Sequence, residues 1–327
     1  MPVLATLACL ALTVQSRYGW PETVAEKSNY TKTSSYADVM AFLDQLQQRG
    51  APIRIMKIGK STLGKDIPLV ICHQNPNITP TEAKAKRLPV VYLQANIHAG
   101  EVEGKEAVLR ILRELAQTPE DPILAKTVLV VQPIYNSDGN DKWGTNERNR
   151  GHQDGPDPIG ERANGQGLDL NRDCIKAASP EMNAVLRHVY AVWDPEVIMD
   201  LHTTNGTRHG YILTYSPGLN PLCDPAVMTF TRDELLPKMR RDAKRLKGWE
   251  FFDYGDASSR DGKWTFSTFA CDPRYVTNYA SLRNRVAILS EAASFQPPAP
   301  PGAHSPYHEY TSNPLTPSSS SVGTSGN

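Results

Sequence analysis

Neither sign of charge is in excess in this chain: 35 Lys and Arg stand against 35 Asp and Glu, for a net charge of zero. No overall field would gather nucleic acid or an anionic membrane surface, so neither is expected as a partner. Long hydrophobic runs are also missing. Nothing reaches the roughly 18 apolar residues that a transmembrane helix needs, and no membrane span is expected. Cysteine is scarce, with five in 327 residues and no CxxC pair. Free buried thiols account for Cys72, Cys174, Cys223 and Cys271 at least as well as disulfides do, so no pairing follows and the compartment is not fixed by cysteine usage.

What is present suits a packed core, with 39% hydrophobic residues. The start, "MPVLATLACLALTVQS", has the apolar centre and small-residue end of a secretory signal, although it lacks an early Lys or Arg. Residues 1–16 are therefore read as a leader, which implies a secreted or periplasmic protein. Residues 17–296 form the main domain. Residues 297–327, rich in Pro and Ser and almost without large aliphatics, read as a disordered tail in which His304 and His308 are solvated.

"SSYADVMAFLDQLQQRG" predicts a helix capped by Ser34 or Ser35, burying Val39, Phe42, Leu43 and Leu46 and ended by Gly50. "IRIMKIGKS" and "DIPLVICH" predict a hairpin. "LPVVYLQA", "TVLVVQPIY", "EVIMDLH" and "RVAILSE" are short apolar runs, the pattern of strands buried on both faces. Val108, Ile111, Leu112 and Leu115 lie on one face of a helix after the first of these runs, and "SPEMNAVLRHVYAVWDP" gives another helix. Alternating strands and helices predict an α/β fold with a central mixed, mostly parallel sheet flanked by helices. Between Tyr135 and Asp169 a Gly-, Asn- and Asp-rich segment carries Arg148, Arg150 and Arg162; a loop of that length is usually functional or disordered.

In such sheets, ligands bind just beyond the strand ends. His98, His202 and Glu291 each fall at or just past the end of a predicted strand. In "ANIHAGEVEGKE", His98 precedes Glu101 by three residues at a strand-to-helix junction. A catalytic zinc commonly takes two imidazoles and a carboxylate and keeps one position open. His98 and Glu101 could supply two of these from one segment, and "DLHTTNG" offers His202. Asp169 in "GLDLNRD" is a candidate partner for an imidazole's second nitrogen. Taken alone, the HxxE pair is equally a capping histidine with a glutamate in the first helical turn.

Four segments taken together, "IHAGEVEG", "GERANGQGLDLNRD", "DLHTTNG" and "LRNRVAILSE", resemble the successive motifs of the zinc carboxypeptidases, the carboxypeptidase A-like M14 family, and its bacterial branch in particular. The resemblance runs from about Ser34 to Phe295. It implies one zinc per chain held by His98, Glu101 and His202, the ligand set given for carboxypeptidase A. It implies Asn171 and Arg172 as the pair holding the substrate's terminal carboxylate, a task suited to a guanidinium fork. Arg162 matches the arginine that stabilises the oxyanion, with Arg148 and Arg150 as competitors. Glu291 matches the general base that activates the zinc-bound water and passes its proton to the leaving amine.

The family's mobile tyrosine has no match at the usual separation, where Phe269 stands. Tyr279 is preferred over Tyr275 for that place. The resemblance further implies a helix after "AILSE", where this sequence turns to Pro and Ser; an early-ending branch and a truncated or frame-shifted coding sequence both account for that. His209 has no counterpart and is read as structural or cleft-lining. The function implied is a monomeric metallocarboxypeptidase acting on peptides or N-acyl amino acids with a free carboxylate. The alternatives are a zinc amidase or deacylase of N-acyl amino acids or cell-wall peptides on the same fold, and a non-catalytic binding module.

Overall fold

The computed structural model describes residues 19–151, 153–206, 210–261 and 263–294. The chain divides into two compact units, Met1–Phe295 and Gln296–Asn327, and the second lies outside the described residues. So do the leader, the tail histidines and His209.

Helix α1 (Tyr36–Gln48) starts on a reciprocal cap: the Ser35 hydroxyl accepts from the Asp38 amide, and Asp38 takes the Ser35 amide in return. It buries Val39, Phe42, Leu43 and Leu46, and Gly50 follows with a left-handed φ of 81°. Strands β1 (Ile53–Lys60) and β2 (Asp66–Cys72) pair as an antiparallel hairpin with Ile53 opposite Cys72. Strand β3 (Val90–Ala95), helix α2 (Glu103–Gln117), strand β4 (Val128–Gln132), helix α3 (Pro180–Val185) and strand β5 (Val197–Thr203) follow. Strands β6 (Leu213–Pro217) and β7 (Phe251–Asp253), a separate two-stranded pair β8 (Asp256–Arg260) and β9 (Lys263–Ser267), helix α4 (Val276–Leu282) and strand β10 (Val286–Ala292) complete the described elements used below.

Eight strands form one mixed sheet in the order β1-β2-β4-β3-β5-β10-β6-β7. Its centre is parallel: β4 with β3, β3 with β5, and β5 with β10. The β6–β7 pair is parallel as well, whereas β1–β2, β2–β4 and β10–β6 are antiparallel. Strict alternation feeds two cores. Ile67, Leu69 and Ile71 of β2 and Val128 and Val130 of β4 join the face covered by α3 and α4, while Val70, Cys72, Leu129 and Val131 join the face covered by α1 and α2. Cys72, Cys174 and Cys223 are buried free thiols, and Cys271 is an exposed one. No helix among the described residues is long and apolar enough to cross a membrane.

One expectation fails on α2. Ile111 is exposed, and Leu109 is buried beside Val108, Leu112 and Leu115. Lys105 and Ala116 are buried too, and at 100° per residue they shift the centre of the buried stripe toward Leu109 and away from Ile111. The same helix approaches β5 closely: a Cβ added at Gly104 would stand 2.7 Å from Leu201 Cβ. Gly104→Ala should therefore push α2 off the strand that carries His202, lowering stability by about 1–3 kcal/mol. A thermal or urea melt matching the parent would show the contact to be slack.

Candidate metal centre

Three adjacent parallel strands, β3, β5 and β10, deliver the central residues at their C-terminal ends. After β3, Asn96 adopts a left-handed φ of 63°, a conformation asparagine tolerates, and its Nδ2 donates to Ala99 O at 3.2 Å. The chain turns there, with the Glu101 amide donating to His98 O at 2.9 Å. His98 and Glu101 thus face the end of β5, where His202 stands. In the register of β5 and β10, Glu291 lies directly beside His202.

The donor atoms of His98, Glu101 and His202 all lie within 4.8 Å of one another, and all three residues are buried. Each imidazole presents Nδ1 to a different oxygen of Glu101: His98 at 2.9 Å to Oε1, His202 at 2.8 Å to Oε2. Each Nε2 turns outward to its own carboxylate, His98 to Asp169 at 3.1 Å and His202 to Asp200 at 2.8 Å. Two inward Nδ1 atoms, one carboxylate and two outer carboxylates that orient the rings form a donor set that fits a zinc ion.

Electrostatics follow from this crowding. Burial alone would raise the Glu101 pKa, but His98 and His202 outweigh it and hold the carboxyl well below its usual range. Burial would lower that of His202, yet Asp200 and Glu101 hold it well above the ordinary histidine value. Asp169, also penalised by burial, is held low by His98, Arg162 and Arg172. Glu291 goes the other way: burial, with Glu101 and Asp200 nearby, pushes it up to about 8.

Arg162 reaches the centre. Its Nη2 lies 2.9 Å from Asp169 Oδ2, and its Nη1 lies 3.5 Å from Glu101 Oε1. Arg150 does not; its buried guanidinium pairs with Glu103 at 2.9 Å. Arg148 lines a cavity of about 310 Å³ together with Asn149, Glu161, Arg162, Ala163, Gly167 and Asp169. Asn171 Oδ1 accepts from the Val276 amide at 2.9 Å, and its Nδ2 lies 3.2 Å from His202 Nε2, whose own proton is directed at Asp200. Arg172 is half-buried, donates to Asn171 O at 2.7 Å and lies 4.2 Å over the Tyr275 ring.

The Tyr279 ring meets Tyr190 edge-on at 5.6 Å and packs against a hydrophobic core, whereas Tyr275 stacks on Arg172. Tyr275 caps the start of α4 and Tyr279 lies about one turn further on, so the two rings meet different neighbours. Two residues went unnoticed in the sequence. Asp200 is two positions before His202 and hence on the same strand face, which period-two reading of "MDLH" makes visible. Tyr254, whose phenol burial and Glu291 together hold well above its usual range, follows the three-residue β7, too short to show periodicity.

A mixed α/β sheet thus carries, at its central strand ends, a two-imidazole, one-carboxylate cluster that could hold a metal ion. Over residues 39–196 the sequence matches the zinc carboxypeptidase family model, so the resemblance read from the motifs is borne out. A search among curated proteins gave no significant match. Among solved structures, the metallo-carboxypeptidase from Burkholderia cenocepacia is similar with a TM-score of 0.59 at 16% identity, covering 80% of this chain and 61% of its own. The metallo-carboxypeptidase from Pseudomonas aeruginosa gives 0.54 at 19%, covering 78% and 60%. The carboxypeptidase A from Helicoverpa armigera gives 0.56 at 17%, covering 88% and 71%. These structures share the fold of a mixed sheet flanked by helices, and this chain spans about three fifths of the two bacterial proteins.

Proposed function

We propose that this protein is a metallocarboxypeptidase that removes C-terminal residues from peptides. The observation that carries the reading is Glu291, a buried carboxylate set in strand register beside a histidine of a two-imidazole, one-carboxylate cluster. His98, Glu101 and His202 would hold one zinc ion, which when bound supplies a Lewis acid and makes water acidic enough to react near neutral pH. A bound cation would favour the ionised form of Glu291, whose carboxylate takes the proton from the attacking water and returns it to the departing amine. Arg162, already beside Glu101, is placed to stabilise negative charge building on the carbonyl oxygen. Arg172 grips the substrate's terminal carboxylate, and the Tyr275 ring beneath it keeps the guanidinium plane in place. Asn171, next to Arg172, completes the pair that holds this carboxylate, and its Oδ1 takes the Val276 amide at the start of α4.

Incubating the zinc-loaded protein with a mixed peptide library and following masses over time tests the activity. Stepwise loss of single C-terminal residues, stopped by a chelator, is the expected outcome; an unchanged library with zinc bound would overturn the proposal. Arg172→Ala should lower kcat/KM on peptides with a free carboxylate by about 100-fold, the worth of charge-assisted hydrogen bonds. C-terminally amidated peptides, processed slowly at best, should be hardly affected. Equal losses on both would argue against the clamp.

A further inference from the structure

A polar rung crosses the middle of this sheet. Gln132 on β4, Gln94 on β3 and Asp200 on β5 are register partners, so their side chains project from the same face. Tyr92 stands two residues before Gln94, again on that face. All four are buried, none more than 1% exposed. Three buried polar side chains in the centre of a sheet are costly unless they are satisfied, which calls for a reason to keep them.

The contacts form a continuous chain. Gln94 Nε2 donates to Asp200 Oδ1 at 2.9 Å, and the other oxygen, Oδ2, meets His202 Nε2 at 2.8 Å. A carboxylate only accepts, so this contact fixes which end of the Gln94 amide faces Asp200 and turns its Oε1 toward the Tyr92 hydroxyl, 3.1 Å away. The Tyr92 hydroxyl also contacts Gln132 Oε1, while Gln132 Nε2 is buried with no partner. Tyr92 has one proton and cannot donate to both glutamine oxygens. Turning the Gln132 amide end for end gives each Tyr92 contact its own proton and leaves the less demanding carbonyl end unpartnered: Nε2 then donates to the phenol oxygen, and the phenol proton is left for Gln94. Amide ends are set by such partner logic. Every donor now points the same way along the chain, from Gln132 through Tyr92 and Gln94 to Asp200.

We propose that Gln132, Tyr92 and Gln94 are positioning residues that clamp the Asp200 carboxylate so that it holds His202 by Nε2 and leaves Nδ1 directed at Glu101, thereby setting the affinity of the centre for a divalent cation. His98 is supported differently: its partner Asp169 caps a short helical turn, accepts the Asn171 amide at 3.0 Å and pairs with Arg162. The two imidazoles are therefore held by different means, His202 from the sheet and His98 from a capped turn. This inference rests on the metal-centre reading above.

The test uses the full chain, with zinc affinity measured by competition against a chromophoric chelator and the visible spectrum of the cobalt(II)-loaded protein. Gln94→Leu removes the donor to Asp200 at similar volume. Outer partners of metal-binding histidines are typically worth 10–100-fold in affinity, and the variant should lose about tenfold with a shifted cobalt spectrum. Tyr92→Phe deletes one hydroxyl, keeps the ring packing and should weaken zinc by about threefold, one link further out. Thermal melts of the metal-free variants separate misfolding from repositioning, and Tyr92→Phe keeps the test open if Gln94→Leu does not fold. Folded variants with parental affinity and parental cobalt spectra would overturn the clamp. A parent protein that takes up no zinc would instead overturn the reading of the centre itself.

Discussion

Glu291→Gln is expected to lower kcat by about a thousandfold, within the range that positioned general bases contribute, while zinc remains bound at the parental affinity. Gln keeps the shape of the side chain and loses only the ability to take a proton. The buried setting beside His202 makes the substitution conservative for packing, and among the described residues no hydrogen bond or ion pair engages the Glu291 carboxylate, so none is broken. Stopped assays on a good peptide substrate, with zinc measured on the same sample, decide the matter. Unchanged turnover would remove Glu291 from the reaction; lost zinc would reassign it to holding the cluster.

His202→Ala should act on the other quantity. Removing one of three protein ligands is expected to weaken zinc by about 10²–10³-fold, with hydrolysis lost in proportion to occupancy. Binding should also depend on pH in the parent. In the metal-free chain His202 holds its proton well above the ordinary histidine value, under Asp200 and Glu101, and Glu291 is pushed up to about 8. A cation must displace protons from this cluster, so apparent affinity rises with pH and binding releases protons. Calorimetry in two buffers of different ionisation enthalpy reads that release directly; no buffer dependence near pH 7 would contradict it. The metal-free fold responds with the opposite sign to Glu291. A carboxyl raised in the folded state favours folding most below its unfolded value near 4.5 and loses that contribution as pH rises through about 8.

Much of this centre could be read from the chain because strands buried on both faces leave contiguous apolar runs, and the residues ending those runs are few. His98, His202 and Glu291 stand out for that reason, and Glu101 by its spacing from His98. Period two also marks Asp200, two residues before His202 on the same strand face. Gln94 and Gln132, each closing an apolar run, carried the same signal without chemistry to draw notice. Long-range choices were not legible. Whether Tyr275 or Tyr279 meets Arg172 depends on where α4 begins relative to the loop before it, and local sequence does not record that path. Tyr254 follows a strand of three residues, and its place near Glu291 is created wholly by neighbours distant in sequence. Ile111 fell on the wrong side of a stripe boundary that only the packing partner defines.

Strand register joins His202 to Glu291, and this has a consequence for how the protein can fail. Their separation is governed by the interstrand spacing of about 4.8 Å, with no hinge or flexible link between them. Central strands open only when the whole cooperative unit opens. With the proposed roles, ligand and base share one fate: a partially melted molecule that keeps its cation while misplacing its base is not an accessible species, and inactivation on heating should be all-or-none.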